Sequence, residues 1–440
     1  MIKKMLISIC GVLFSSAMAF AGEASTSGIS AGDTAWILAS SALVFLMTPG
    51  LALFYGGMVR SKNVLGTLMH SFIAIAVISV QWVLLGYSLS FGPDINGFIG
   101  GLDWFGLKGV GLEPNPDYAP SIPHLTFMIY QCMFAIITPA LISGAFAERK
   151  KFSAYILFIL LWSTLVYDPV AHWVWGTGGW LKRAGVLDFA GGIVVHLTSG
   201  VSALVAALIV GKRKGYTKEP MVPHNLPMTV LGAGLLWFGW FGFNAGSALT
   251  SGGLSTMAFV TTHTAASAST VVWVIIEWVH RGKATMFGAA TGSIAGLATI
   301  TPAAGFVSPI SALAIGAAAG LLCYTALNMK GRFGYDDSLD VFGVHGISGM
   351  TGTLGAGLLA SLAVNQAGSN GLFFGNPGTF LIQAKAIATV AVYSIVATFI
   401  ILKLIDLTVG LRIKDEHEVI GLDLSQHGER GYTMTVDGEI

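Results

Sequence analysis

Two short stretches carry the residue types most able to do chemistry. Val195-His196-Leu197-Thr198-Ser199-Gly200 and Val344-His345-Gly346-Ile347-Ser348-Gly349 both read V-H-x-x-S-G. A neutral imidazole has one donor and one acceptor nitrogen, so two in contact share a proton between facing nitrogens. Both motifs lie in apolar runs, where burial penalises a charged group and favours the neutral form. Such a pair can hydrogen-bond a small N–H species and relay a proton while offering no fixed anion to alkali ions. A lone histidine on an apolar helix is usually a packing residue. Two at matching positions of a repeat, at a depth where ionisable groups tend to line pathways, favour a functional pair. A metal site fits less well, because no Cys, Asp or Glu joins them at ligand spacing, and the residues call for no cofactor. An aspartate precedes each motif, Asp188 and Asp340, where a side chain caps a helix by accepting from orphan N–H groups. An electrostatic assist to a nearby cation is compatible with capping. Ser199, Ser247 and Ser348 are candidate nucleophiles, but no G-x-S-x-G elbow surrounds them, so an enzyme is not expected.

The elements that position these residues belong in lipid. Of the 440 residues, 54% are hydrophobic and 10% charged, whereas soluble domains carry about 25% charge. The net charge of +1 gives no field for nucleic acid. Lys3, Lys4, a short apolar stretch and Ala19-Phe20-Ala21 read as a secretory leader, 1–21, cleaved to leave the mature N-terminus outside. Eleven apolar runs follow, near 34–58, 65–91, 122–147, 153–174, 190–211, 225–247, 255–279, 285–303, 305–328, 341–364 and 380–410, each long enough to span. With the N-terminus outside, the inner loops hold Arg60 and Lys62; Arg149, Lys150 and Lys151; Lys212, Arg213, Lys214 and Lys218; Arg281 and Lys283; Lys330 and Arg332. The outer loops hold only Lys108, Lys182 and Arg183. This is the positive-inside pattern. It predicts an all-α polytopic inner-membrane protein: a membrane domain over 22–411 and a cytoplasmic tail over 412–440.

On this count the fifth span enters from outside and the tenth from inside, so the two histidines approach the middle from opposite faces. Five spans and five inverted spans, with a final helix, is a transporter plan with its site at the repeat interface. Eight residues separate Asp188 from His196, a rise of roughly 12 Å, close to the midplane. His345 follows Asp340 by only five residues and comes out shallower. Cys132 and Cys323 sit in apolar runs, Cys10 in the leader, and no disulfide framework results.

Further motifs carry a resemblance. The runs from Asp188 to His196, from Gly239 to Ala248 and from Asp340 to Gly346 are similar to ammonium transporters of the Amt/Rh family, on the bacterial Amt side. So are Phe54-Tyr55-Gly56-Gly57, Ala147-Glu148-Arg149, Pro223-His224-Asn225-Leu226-Pro227, Gly421-Leu422-Asp423 and His427-Gly428-Glu429. The resemblance implies eleven helices, a homotrimer, one pore per protomer and an outer vestibule that holds ammonium. Trp175, Phe134 and Ser247 match the residues of its outer cation site, with Tyr130 where many relatives have phenylalanine. Phe134 and Phe243 match its gate, and Trp240, His196 and His345 its pore. One extra residue lies between Trp175 and Asp188, in a loop. The resemblance further suggests that a PII-class regulator binds the tail. The physics agrees: aromatic faces attract a small cation, a serine hydroxyl accepts from N–H, and a bare charge in hydrocarbon is expensive. The rival readings are an ammonium-sensing receptor with little flux, against which the short tail counts, and the hydrolase already weighed.

Overall fold

The computed structural model describes residues 28–432; the expected leader, 1–21, lies outside the described residues. Among those described, nine helices are long and apolar enough to cross a membrane. Two shorter helices, Met286–Ile300 and the joined Phe342–Gly346 and Ile347–Leu359, fall where the sequence places its eighth and tenth runs. We number these helices α1 to α11 in chain order. The bounds are Ala31–Met58 for α1, Val64–Gln81 running on to Phe91 for α2, and His124–Ile142 for α3. Phe152–Trp162 running on to Trp175 is α4, and Gly192–Leu197 with Thr198–Val210 is α5. Leu226–Trp240 is α6, Gly253–Arg281 α7, Met286–Ile300 α8, Pro309–Phe333 α9, Phe342–Leu359 α10 and Pro377–Thr408 α11.

The packing repeats. Helix α2 packs on α3 and α4 as α7 packs on α8 and α9; α1 runs along α6, and α5 crosses α10. The crossing explains the last residue of the shared motif. A Cβ on Gly200 would run into the Gly346 backbone, and one on Gly349 would lie 2.6 Å from both Gly192 O and Leu197 N. Only glycine lets the two backbones approach this closely.

The chain is not wholly helical outside the spans. Asp94–Ile95 pairs with Ile99–Gly100, and Pro114–Asn115 with Ala119–Pro123, in the segment between α2 and α3. Asn96 and Gly97 both take positive φ, 55° and 81°, in the three-residue loop that joins Ile95 to Ile99.

At the helix ends opposite the 94–123 segment the loop charges are partly buried and structural. The buried Arg149 guanidinium donates to Gly211 O, Ala147 O, Ala145 O, Asp336 O and Ser338 Oγ. Arg213 pairs with Asp336 at 2.8 Å and Arg60 with Glu148 at 2.6 Å.

Candidate functional site

One chamber, of about 170 Å³ and called the vestibule below, has a lining that includes Phe134, Trp175 and Ser247, three of the residues singled out above, together with Phe91, Tyr118, Phe127 and Phe189. Trp175 ends α4, and its indole N–H donates to Asp188 O at 2.9 Å, which fixes the ring. The Ser247 hydroxyl donates to Phe243 O at 2.8 Å and keeps lone pairs to accept from a ligand N–H. Two charged side chains, Asp117 and Lys182, and the amide of Gln131 also line the chamber. Sequence reasoning missed them; the only signal was that Phe127, Gln131 and Phe134 share a face of α3 at helical spacing.

Tyr130 is a correction. It lies behind this wall, fully buried, rather than in the vestibule lining. Its hydroxyl sits 2.9 Å from both Gly242 O and Phe243 O and 3.2 Å from Ser247 Oγ. The physical reason is its polar tip. A buried phenol must find partners, and two main-chain oxygens at the π turn Phe241–Ala245, at the end of α6, accept from it. Tyr130 thus braces the backbone that presents Ser247 and Phe243.

Beneath the vestibule two rings close the path. Phe134 and Phe243 have centroids 4.3 Å apart at 36°, and both are buried. Below them lies a narrow lumen of about 10 Å³, room for about one water. Its lining includes Phe243, Trp240, His196 and His345 among aliphatic side chains. The two imidazoles meet Nδ1 to Nδ1 at 3.2 Å, with ring planes 19° apart. One Nδ1 carries the shared proton and the other accepts it. The buried His196 Nε2 has no hydrogen-bond partner among the described residues. Trp240 stacks on His196 with centroids 5.4 Å apart and anchors its N–H on Thr301 Oγ1 at 3.0 Å. Each histidine sits in a π turn, Gly192–Leu197 and Phe342–Gly346, at the start of its helix. Such wide turns often mark functional sites because they re-aim a side chain within an otherwise regular helix.

The aspartates divide. Asp188 caps α5 as expected: its carboxylate accepts from the N–H groups of Gly191, Gly192, Ile193 and Val194 at 2.6–3.1 Å. Asp340 does not cap α10. Its carboxylate pairs with Lys330 and its backbone takes a positive φ of 60°, turned away from the helix start. The cap is Asp337, which accepts from Phe342 N at 2.8 Å. Asp337 precedes His345 by eight residues, as Asp188 precedes His196, so the apparent difference in depth disappears. Burial pushes both capping carboxyls up to about 6.

The candidate nucleophiles are engaged elsewhere. Ser199 donates to Val195 O at 2.5 Å and Ser348 to Ala295 O at 3.2 Å, and Ser247 to Phe243 O as above.

Comparison with known proteins decides the family. The sequence pattern of the Ammonium Transporter Family matches residues 35–432. This chain belongs to the ammonium transporter family. A Bacillus subtilis ammonium transporter is 54% identical over 402 residues, covering 91% of this chain and 98% of that one. The crystal structure of Saccharomyces cerevisiae Mep2 superposes with a TM-score of 0.84 at 37% identity, covering 89% of each chain. A solved structure named Sensor Amt Protein matches with a TM-score of 0.82 at 28% identity, covering 90% of this chain and 98% of that one.

Proposed function

We propose that the protein conducts ammonium through one pore per protomer: the vestibule selects the cation, and ammonia passes the gate while the proton travels separately by way of His196 and His345. The observation that carries this is the lumen itself. A fully dehydrated cation there would meet aliphatic side chains, aromatic rings and two imidazoles already bonded to each other, and no carboxylate. Such a path disfavours a bare charge but suits a neutral molecule that accepts or donates one hydrogen bond. His196 Nε2, without a partner among the described residues, is the group that would meet it. Trp175, Phe134 and Ser247 hold the cation before it gives up a proton. Phe134 and Phe243 then move aside to admit the neutral species.

The test is electrical. In liposomes, an ammonium pulse on the wild type gives a current and a pH change. His196→Gln and His345→Gln keep a hydrogen-bonding side chain that does not titrate. They lose the current or leak whole cations at least tenfold more freely. Normal current with intact selection over potassium in both variants, each folded, would refute the proton relay.

We place the protein in the inner membrane with its N-terminus outside and its tail inside, on the loop charges, and propose a homotrimer with a PII-class protein as cytoplasmic regulator. The receptor reading is the alternative. The relative whose name includes sensor is 28% identical, against 54% for one named a transporter, which favours flux.

A further inference from the structure

We propose that Lys182 is a tethered cation that opposes ammonium in the outer vestibule and so sets its affinity; the proposal rests on reading that vestibule as the ammonium site. Lys182 lies in the short helix Trp180–Arg183 between α4 and α5. Its Nζ donates to the main-chain oxygen of Trp175 at 2.9 Å and lies 5.7 Å from the centroid of the Tyr118 ring. Lys182, Tyr118 and Trp175 line the same chamber of about 170 Å³. An alkylammonium head is the side-chain group most like the proposed substrate. It has the same charge and N–H donors, and it is attracted to the same aromatic faces. Asp117, also on the lining, supplies the opposite charge.

The consequence follows from Coulomb's law. A unit positive charge held a few ångströms from an entering cation in a wetted chamber corresponds to a roughly three- to tenfold loss of affinity. The effect acts on charge and not on shape, so it falls equally on ammonium and on any other monovalent cation and leaves selection unchanged. A weakened outer site has a use: conduction needs binding strong enough to admit an ion and weak enough to release it onward. Removing the Asp117 carboxylate must act in the opposite direction, and both effects must shrink as salt screens them.

The experiment measures ammonium-evoked current in proteoliposomes over a concentration series, at about 20 mM and about 500 mM background salt. The set is the wild type, Lys182→Met, Lys182→Arg, Asp117→Asn and Trp175→Leu. Lys182→Met should lower the half-saturating ammonium concentration about three- to tenfold at low salt. Lys182→Arg should resemble the wild type, Asp117→Asn should raise the half-saturating concentration, and each shift should shrink at high salt. If Trp175→Leu weakens binding but Lys182→Met leaves half-saturation where it was, or shifts it equally at both salts, the inference about Lys182 is overturned alone. If Trp175→Leu has no effect either, the vestibule reading itself fails.

Discussion

At the scale of single residues, the two histidines were legible because a repeated motif named them twice. Their 3.2 Å contact then needed only the crossing of α5 and α10. Tyr130 was not legible in the same way. Its ring could face the vestibule or the protein, and the hydroxyl decided for the protein by bonding to the carbonyls at the π turn. No periodicity in α3 carries that information. Trp175 is the residue whose role is most open to test. It offers an aromatic face to the vestibule and an N–H to Asp188 O. Trp175→Leu loses both; Trp175→Phe loses only the N–H. Removing a cation–π partner in a partly desolvated site costs about 1–2 kcal/mol. The expected outcome for Trp175→Leu is a roughly five- to thirtyfold higher half-saturating ammonium concentration and weaker selection over potassium, with Trp175→Phe much closer to the wild type. Unchanged competition by potassium in the leucine variant would remove Trp175 from the site.

At the scale of elements, the spans were read closely. For example, α4 was expected at 153–174 and runs from Phe152 to Trp175. What the pattern hid was the way α10 begins. Asp336, Asp337 and Asp340 stand in one short stretch, and the aspartate nearest the apolar run looked like the cap. The backbone decided otherwise, because Asp340 is drawn to Lys330 and leaves Asp337 to meet Phe342 N. The π turns were equally hidden, since an extra residue in a helical turn leaves no trace in hydropathy. The cap assignment predicts different outcomes for neighbouring aspartates. Asp337→Ala strips the start of α10 of its acceptor and should cost about 1–2 kcal/mol, lowering the thermal midpoint and disturbing His345. Asp340→Ala should leave the His345 current intact. The pH dependence has a definite sign. Asp337 is pushed up to about 6 by burial, above its unfolded value of about 3.9. Its stabilising contribution is therefore full below pH 4 and lost as pH rises through 6. The thermal midpoint of the wild type should fall from pH 5 to pH 7 by more than that of Asp337→Asn; parallel curves would place this carboxyl outside the titration.

At the scale of the whole molecule, the tail departs most from its sequence. Its mixed charge and few apolar residues give no core of its own, yet residues 412–432 are seated on the loops before α2, before α4 and after α5. Buried Glu418 accepts from Lys214 N at 2.6 Å and pairs with Arg412 at 2.7 Å. Lys62 Nζ donates to Glu418 O and Val419 O, Leu422 N to Asn63 Oδ1, and Gly66 N to Asp423 Oδ1. Lys150 and Arg412 form an isolated β-bridge. The tail therefore clamps the loop before α2, the loop before α4 and the loop after α5, all at the end opposite the vestibule. Composition could not reveal this, because the partners are main-chain groups and charges far away in sequence. It bears directly on the proposed regulator. A protein that grips the tail also grips three loops, so binding and loop order are coupled. Truncation after Lys414 should abolish or weaken at least tenfold the binding of a PII-class protein and should raise hydrogen exchange in residues 60–66 and 211–218. Glu418→Gln keeps an acceptor but no charge, and should give a smaller loss of both. A truncated protein that binds with full affinity would exclude the tail from that contact. One that loses binding while its loops stay protected would show that the tail is touched directly and does not act by ordering the loops.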